Sequence, residues 1–399
     1  MALASSNRVK ISIAPETVPG TADANFYDNS TVARLTGESL NGNISYINSE
    51  EIRSDRQLTD LVQVSLEASG DLNIELSYGS YDKLIESLMG STFSTPDASY
   101  SATATVDANN TLNSSAAFTA LPAKGQWIKI SGRTNTANNG YFQVSKTVDP
   151  TSSIITFEGT PLTVDATSES TTIAESAMLR MGTTDQSFTI VKEFSDTSPV
   201  TYFTFVGMRV SSMSLSLAVG SILTGSFSFM GQTYTAGTDA PDGTLGNETA
   251  ASTTSVMNSV GSISNIWFDG TDAFAAGTFF SNVTLDVDAA LRMQNEAIGF
   301  LGAVGIGQGR FNVSGNISIY FKDLSVYNKY VNDTAFNLAF SVEDTAGNAY
   351  IFSMGNVKLE SATVTAGGSD QDIMIDATYK CSMDANTLTM LQIDRFAAA

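Results

Sequence analysis

A chain of 399 residues is long enough to bury two or three separate cores. Only 15% of its residues are charged, fewer than long amphipathic helices use, so the balance favours strands. The net charge of −21 argues against a grip on nucleic acid through clustered Lys and Arg, and the absence of histidine excludes imidazole acid–base steps and His-based zinc sites.

From Met1 to Arg8 no basic region is followed by an apolar run, so no signal peptide is expected there, and no apolar stretch approaches the roughly 20 residues that span a bilayer. Ser49 to Asp60 (SEEIRSDRQLTD) is polar and mixed in charge, and reads as a long exposed hairpin loop. Period-two alternation follows in Val62, Val64, Leu66 and again in Leu72, Ile74, Leu76, Tyr78, the pattern of strands with one buried and one wet face. Tyr81 to Met89 places Leu84, Ile85 and Leu88 on one helical face, with Gly90 as its C-cap. Residues 96–178 are rich in Ser, Thr, Ala and Asn, and Asn139-Gly140 signals a hairpin turn among short apolar alternations. Alternation returns at Met213, Leu215, Leu217 and at Phe227, Phe229. Thr235 to Ser255, with Pro241, Gly243 and Gly246, reads as a linker. Further strands are expected around Val283 to Val287, Phe311 to Val313 and Ile317 to Phe321, with a neutral glycine-rich loop from Phe300 to Gly309 between the first two.

These elements repeat. Ser69-Gly70-Asp71-Leu72 returns as Ser314-Gly315-Asn316-Ile317, a spacing of 245, and Tyr81-Asp82-Lys83 as Tyr327-Asn328-Lys329, a spacing of 246. Tyr202 to Val210 matches Tyr350 to Lys358 at a spacing of 148, which lays Gly207 over Gly355. The fall in spacing implies about 98 extra residues in the first copy, near 92–186. The expected organisation is therefore a discontinuous first domain (1–92 and 186–235), an inserted small β domain (96–178), a linker (236–255) and a second domain (256–399). Two similar folds in one chain suit neighbouring places in a ring and point to assembly rather than catalysis.

No catalytic constellation emerges. Glu50, Glu51 and Asp55 alternate with Arg53 and Arg56 and read as a solvated loop. Asp370, Asp372 and Asp376 are candidates for a hard cation, but they lack the calcium-loop spacing and read as a wet strand edge. Gly302, Gly305, Gly307 and Gly309 have no Gly-Lys-Ser/Thr ending and no following helix, so they are no phosphate loop. Cys381 reads as a small buried hydrophobe. No enzyme activity, catalytic residue, metal or cofactor is expected.

The stretch Ser49 to Gln57, the strand beginning Ser69-Gly70, the helix Tyr81 to Gly90, Phe203 to Val210 and Gly225 to Gly231 together resemble the tail tube (major tail) proteins of long-tailed bacteriophages. The resemblance implies a mainly β fold with two tail-tube-type β-sandwich domains, each with a short flanking helix, plus the small all-β insert. It also implies a structural virion protein, made in the host cytoplasm. Rings of three copies, acting as pseudo-hexamers, would stack into a hollow tube that conducts DNA during ejection. Implied partners are further copies of itself, a tape-measure protein and tail terminator or distal tail proteins; DNA would pass without specific binding, and no membrane is involved. Glu50, Glu51, Arg53, Asp55 and Arg56 are expected to touch an adjacent ring, and Asp71, Asn73, Glu75 and Ser318 to face the lumen. The inner tube of a contractile tail or secretion apparatus, and a β-repeat surface adhesin, are the alternatives.

Overall fold

In a computed structural model, which describes residues 4–159, 161–295 and 297–398, the alternating stretches pair as antiparallel strands. Those of the first half are β1 (Val9–Pro15), β2 (Asn41–Asn48), β3 (Leu61–Glu75), β4 (Phe188–Phe194), β5 (Thr201–Ala218), β6 (Thr224–Gly231) and β7 (Thr233–Gly237). Their neighbour order is β2-β3-β6-β5-β4-β1, with β7 also lying on β5. The long β5 serves two sheets. Its first part lies between β4 and β7, and a shift of register beside Gly207 and another at Ser211 turn its second part towards β6.

The second half contains β8 (Ile263–Phe268), β9 (Phe280–Asp288), β10 (Asn312–Tyr320), β11 (Phe336–Glu343), β12 (Ala349–Thr365), β13 (Met374–Cys381) and β14 (Gln392–Phe396). It is ordered β9-β10-β13-β12-β11-β8, with β14 on β12. The two orders coincide strand for strand. Gly70 faces Phe229 on β6, and Gly315, 245 positions on, faces Tyr379 on β13. Along β5 and β12 the spacing differs by one from the sequence match. Met208 pairs with Phe188 as Val357 pairs with Phe336, so Gly207 stands over Asn356 and not over Gly355. The similarity of letters had aligned two glycines that occupy adjacent positions of the same irregularity.

Buried side chains of both halves form one cluster, running from Leu72 and Leu215 through Leu285 and Ile317 to Tyr379. The helix of the first half that packs on this core, α1 (Asp82–Met89), covers it with Leu84, Ile85, Leu88 and Met89, and ends at Gly90 in the left-handed conformation. Its counterpart in the second half, α2 (Ser325–Val331), starts two residues before Tyr327, the residue that matches Tyr81, and buries only Val326. Asp82 ties α1 to the second half, accepting hydrogen bonds from the Tyr350 hydroxyl and Arg395.

Residues 100–175 form a separate six-stranded sheet with its own core, including Val106, Leu112, Ile128, Ile130 and Ile173. Asn139-Gly140 is not a two-residue turn. The strands Trp127–Ser131 and Gly140–Gln143 are joined by an eight-residue loop, which the Asn139 side chain braces by bonding both backbone groups of Arg133. The insert is docked on the second half. Trp127 packs at a tilt against Trp267, Tyr141 packs on Phe396, and Lys146 pairs with Asp384 at 3.0 Å out of solvent. The strand Ala177–Arg180 already belongs to the body, pairing with β14. Residues 242–249 do not hang free: they strap the N-terminal segment, with bonds from Tyr27 to Asp242 and from Val32 to Thr249.

Candidate functional site

Alternation gives the sheet of β3, β6, β5, β9, β10 and β13 one apolar face, covered by the core, and one wet face. Asp71, Asn73 and Glu75 stand on the wet face of β3, opposite Leu72 and Ile74. Their partners across β6 are Ser228, Ser226 and Thr224. The wet face continues through Ser212, Ser214 and Ser216 of β5 to Asp288, Asp286 and Thr284 of β9. Ser318 lies on it in β10, donating a hydrogen bond to Asp376 of β13. The four residues expected at a lumen thus share one face, 245 residues of sequence bringing Asn73 and Ser318 to matching positions. Carboxylates outnumber the nearby Lys380 along it.

That continuity depends on a seam between the halves. The second part of β5 pairs with β9 over Ser212 to Ala218, with Leu215 opposite Leu285 and Met213 opposite Val287 on the apolar side. Among the described residues, no comparable partner lies beside the last part of β12, which bonds β13 on one side only, or beside β2, which bonds β3 only. These are the counterparts of the two seam strands. Val364 on β12 is 38% exposed, whereas Leu215, its counterpart on β5, is 2% exposed.

The residues expected between rings form the tip of the β2–β3 hairpin. Glu50, Glu51, Arg53, Asp55 and Arg56 are all exposed. Arg53 pairs with Asp55 at 2.7 Å and holds that carboxyl below its ordinary value. Nothing among the described residues outside the hairpin holds the tip. Val62 and Val64, read from the sequence as core, are exposed because the hairpin runs past the end of the body. Alternation reports that a strand has two unlike faces and leaves open whether the same chain covers one of them.

Among the described residues, no group of three or more His, Cys, Asp or Glu side chains comes together to hold a metal ion. Asp370 sits in an exposed turn, while Asp376 is engaged by Ser318. Cys381 is buried, and that burial pushes its thiol up to about 12. No helix among the described residues is long and apolar enough to cross a membrane.

A polar sheet face, paired repeats and unpaired seam strands describe a building block. Residues 6–381 match the family described as phage tail tube protein. The chain belongs to that family. A tail tube protein is a structural component of the virion, and the mainly β fold agrees. No curated protein matches this one. Sequence reading missed the seam-edge residue Val364; the spacing that lays Tyr202 to Val210 over Tyr350 to Lys358, extended to the whole strand, was the signal that pointed to it.

Proposed function

We propose that three copies of this tail tube protein close into a ring of six repeats, and that rings stack into the hollow tube through which the phage genome leaves. The carrying observation is the seam of β5 with β9, together with the two unpaired strands that correspond to it. Carried over by the repeat spacings, that seam sets β12 of one copy against β2 of the next, with Ser361 opposite Asn43 and Thr363 opposite Asn41. Pairing there satisfies the edge backbone groups and removes the hazard of open, half-apolar edges. The wet face would then line the channel, with Asp71, Glu75 and Asp286 turned towards DNA. Glu50, Glu51, Arg53, Asp55 and Arg56 would meet the next ring. Inside the tube the reading implies a tape-measure protein, and at its ends terminator or distal tail proteins.

Electron microscopy of the purified protein tests this reading directly, with rings or tubes expected. Val364→Glu puts a charge on the seam at a position solvated in the single chain. It should keep the melting temperature of the monomer and abolish rings. Rings from that variant, with β12 at an open edge, would count against the seam.

A further inference from the structure

The hairpin of β9 and β10 has the same build as that of β2 and β3, yet a different fate. Arg292 faces Gly307 and Met293 faces Ile306, as Ile47 faces Val62 and Asn48 faces Leu61 at the same spacing of 245. The β9–β10 hairpin folds over the first half. The carbonyl of Leu301 accepts from Leu66 N–H at 2.9 Å, and Ala303 N–H donates to the Gln232 carbonyl at 3.2 Å. The buried Arg209 guanidinium, paired with Asp185 at 2.5 Å, donates to the Ile306 carbonyl. Docking leaves Ala303 and Ile306 only 8% exposed each, while their counterparts Leu58 and Leu61 are 52% and 58% exposed.

The seat for such a hairpin also exists twice. Phe311, Asn312 and Ser382, the counterparts of Leu66, Glu67 and Gln232, line an open cavity of about 560 Å³. Arg209 and Asp185 recur as Lys358 and Asp333, paired at 2.6 Å with Lys358 still exposed. A filled seat beside a docked hairpin, and an empty seat beside a free one, leave each seam side with one unmet partner.

We infer that the β2–β3 hairpin of one copy docks across the second half of its neighbour in the same ring, with Leu58 and Leu61 covered at the Phe311–Ser382 cavity and the Leu61 carbonyl offered to Lys358. The inference rests on the ring reading above. It leaves the charged tip free, since Ile298 and Phe300 at the tip of the docked hairpin remain exposed. The hairpin is thus an in-ring clasp at its base and an inter-ring contact at its end.

Disulfide capture tests the clasp in the full chain. Residues bonded backbone to backbone, as Ala303 and Gln232 are, lie near enough for a disulfide. Leu58→Cys and Ser382→Cys are therefore combined in a Cys381→Ala background; both new thiols sit at exposed positions, and circular dichroism checks the fold. Oxidation of assembled rings is expected to give linked dimers and trimers on a non-reducing gel, with nothing larger, because in-ring links close on the third copy. Ladders beyond the trimer would mean that the hairpin reaches another ring and would overturn the clasp. Rings seen by microscopy without linkage would overturn it and leave the ring reading standing. Monomers alone, from this variant and from the unmodified chain, would remove the ring reading itself.

Discussion

Glu16 is buried, pairs with no cation among the described residues and is held by neutral donors. Gly20 N–H, Ser187 Oγ, Thr189 Oγ1 and Gly207 N–H approach its two oxygens at 2.6–2.9 Å. Glu16→Ala removes the acceptor and leaves the buried Ser187, Thr189 and Gly207 donors without one. A loss of about 3 kcal/mol is expected in urea unfolding. The same carboxylate explains why Gly207 stood out in the sequence. Its φ of +70° aims the amide at Glu16, and a Cβ there would meet the Gln232 side chain at 2.7 Å. Asp394 is another buried carboxylate, accepting from Ser176 Oγ and Trp127 N–H of the insert side and from Gln392. Burial raises its pKa to about 6. Over the range between its unfolded value, about 3.9, and that folded value, the native state holds a proton that the unfolded chain has released. Stability from this group is therefore full below the lower value, falls as pH rises, and levels off above the higher one. Thermal melts from acid to neutral pH should show a smaller decline for Asp394→Asn than for the unaltered protein.

Between elements, much of the body was legible and the contacts beyond it were not. The strands around Leu72, Leu215, Leu285 and Ile317 alternate because one face meets the core, and each was visible as a pattern. The helix at Leu84 to Met89 was visible for the same reason, since its apolar residues and its terminal glycine lie close together in sequence. The docking of the insert was hidden, because Trp127 and Trp267 are far apart in the chain and neither lies in a repeating pattern. That docking bears on how far the insert can be removed. Ala177–Arg180 pairs with β14, so a deletion that spares the body ends at 175 rather than 178. Removing residues 98–175 with a short linker should preserve β structure by circular dichroism and allow assembly. The melting temperature should fall, since Ile351 and Phe396 lose their cover and Asp384 loses Lys146. Collapse of the circular dichroism signal would place the insert within the folding core. The β2–β3 tip calls for a charge test. Arg53→Glu with Arg56→Glu should leave the monomer melt unchanged, because both side chains are exposed, and should yield rings that stack poorly in micrographs. Normal tubes would separate the tip from stacking.

For the whole molecule, charge is placed as the proposed tube needs it. Cations are largely occupied: Arg209 with Asp185, Lys146 with Asp384, Lys192 with Glu38 and Lys358 with Asp333. The wet sheet face is left mainly to hydroxyls, amides and carboxylates, with Lys380 at one end of it. DNA held at a distance by like charge slides, whereas a basic lining would retain it by counterion release, and repulsion reaches about 8 Å at physiological salt. The subunit is accordingly expected to show no shift of duplex DNA in a gel at any salt concentration. A salt-sensitive shift would contradict this arrangement.

The β5–β9 seam has a kinetic meaning as well as a structural one. In the proposed ring of three copies, three of the six seams would lie inside single chains and form as each chain folds, with no dependence on how much protein is present. Closure of that proposed ring would have the molecularity of three bodies rather than six. The steeper dilution penalty of a six-body nucleus is avoided, because tethering has already set the effective concentration of half the partners.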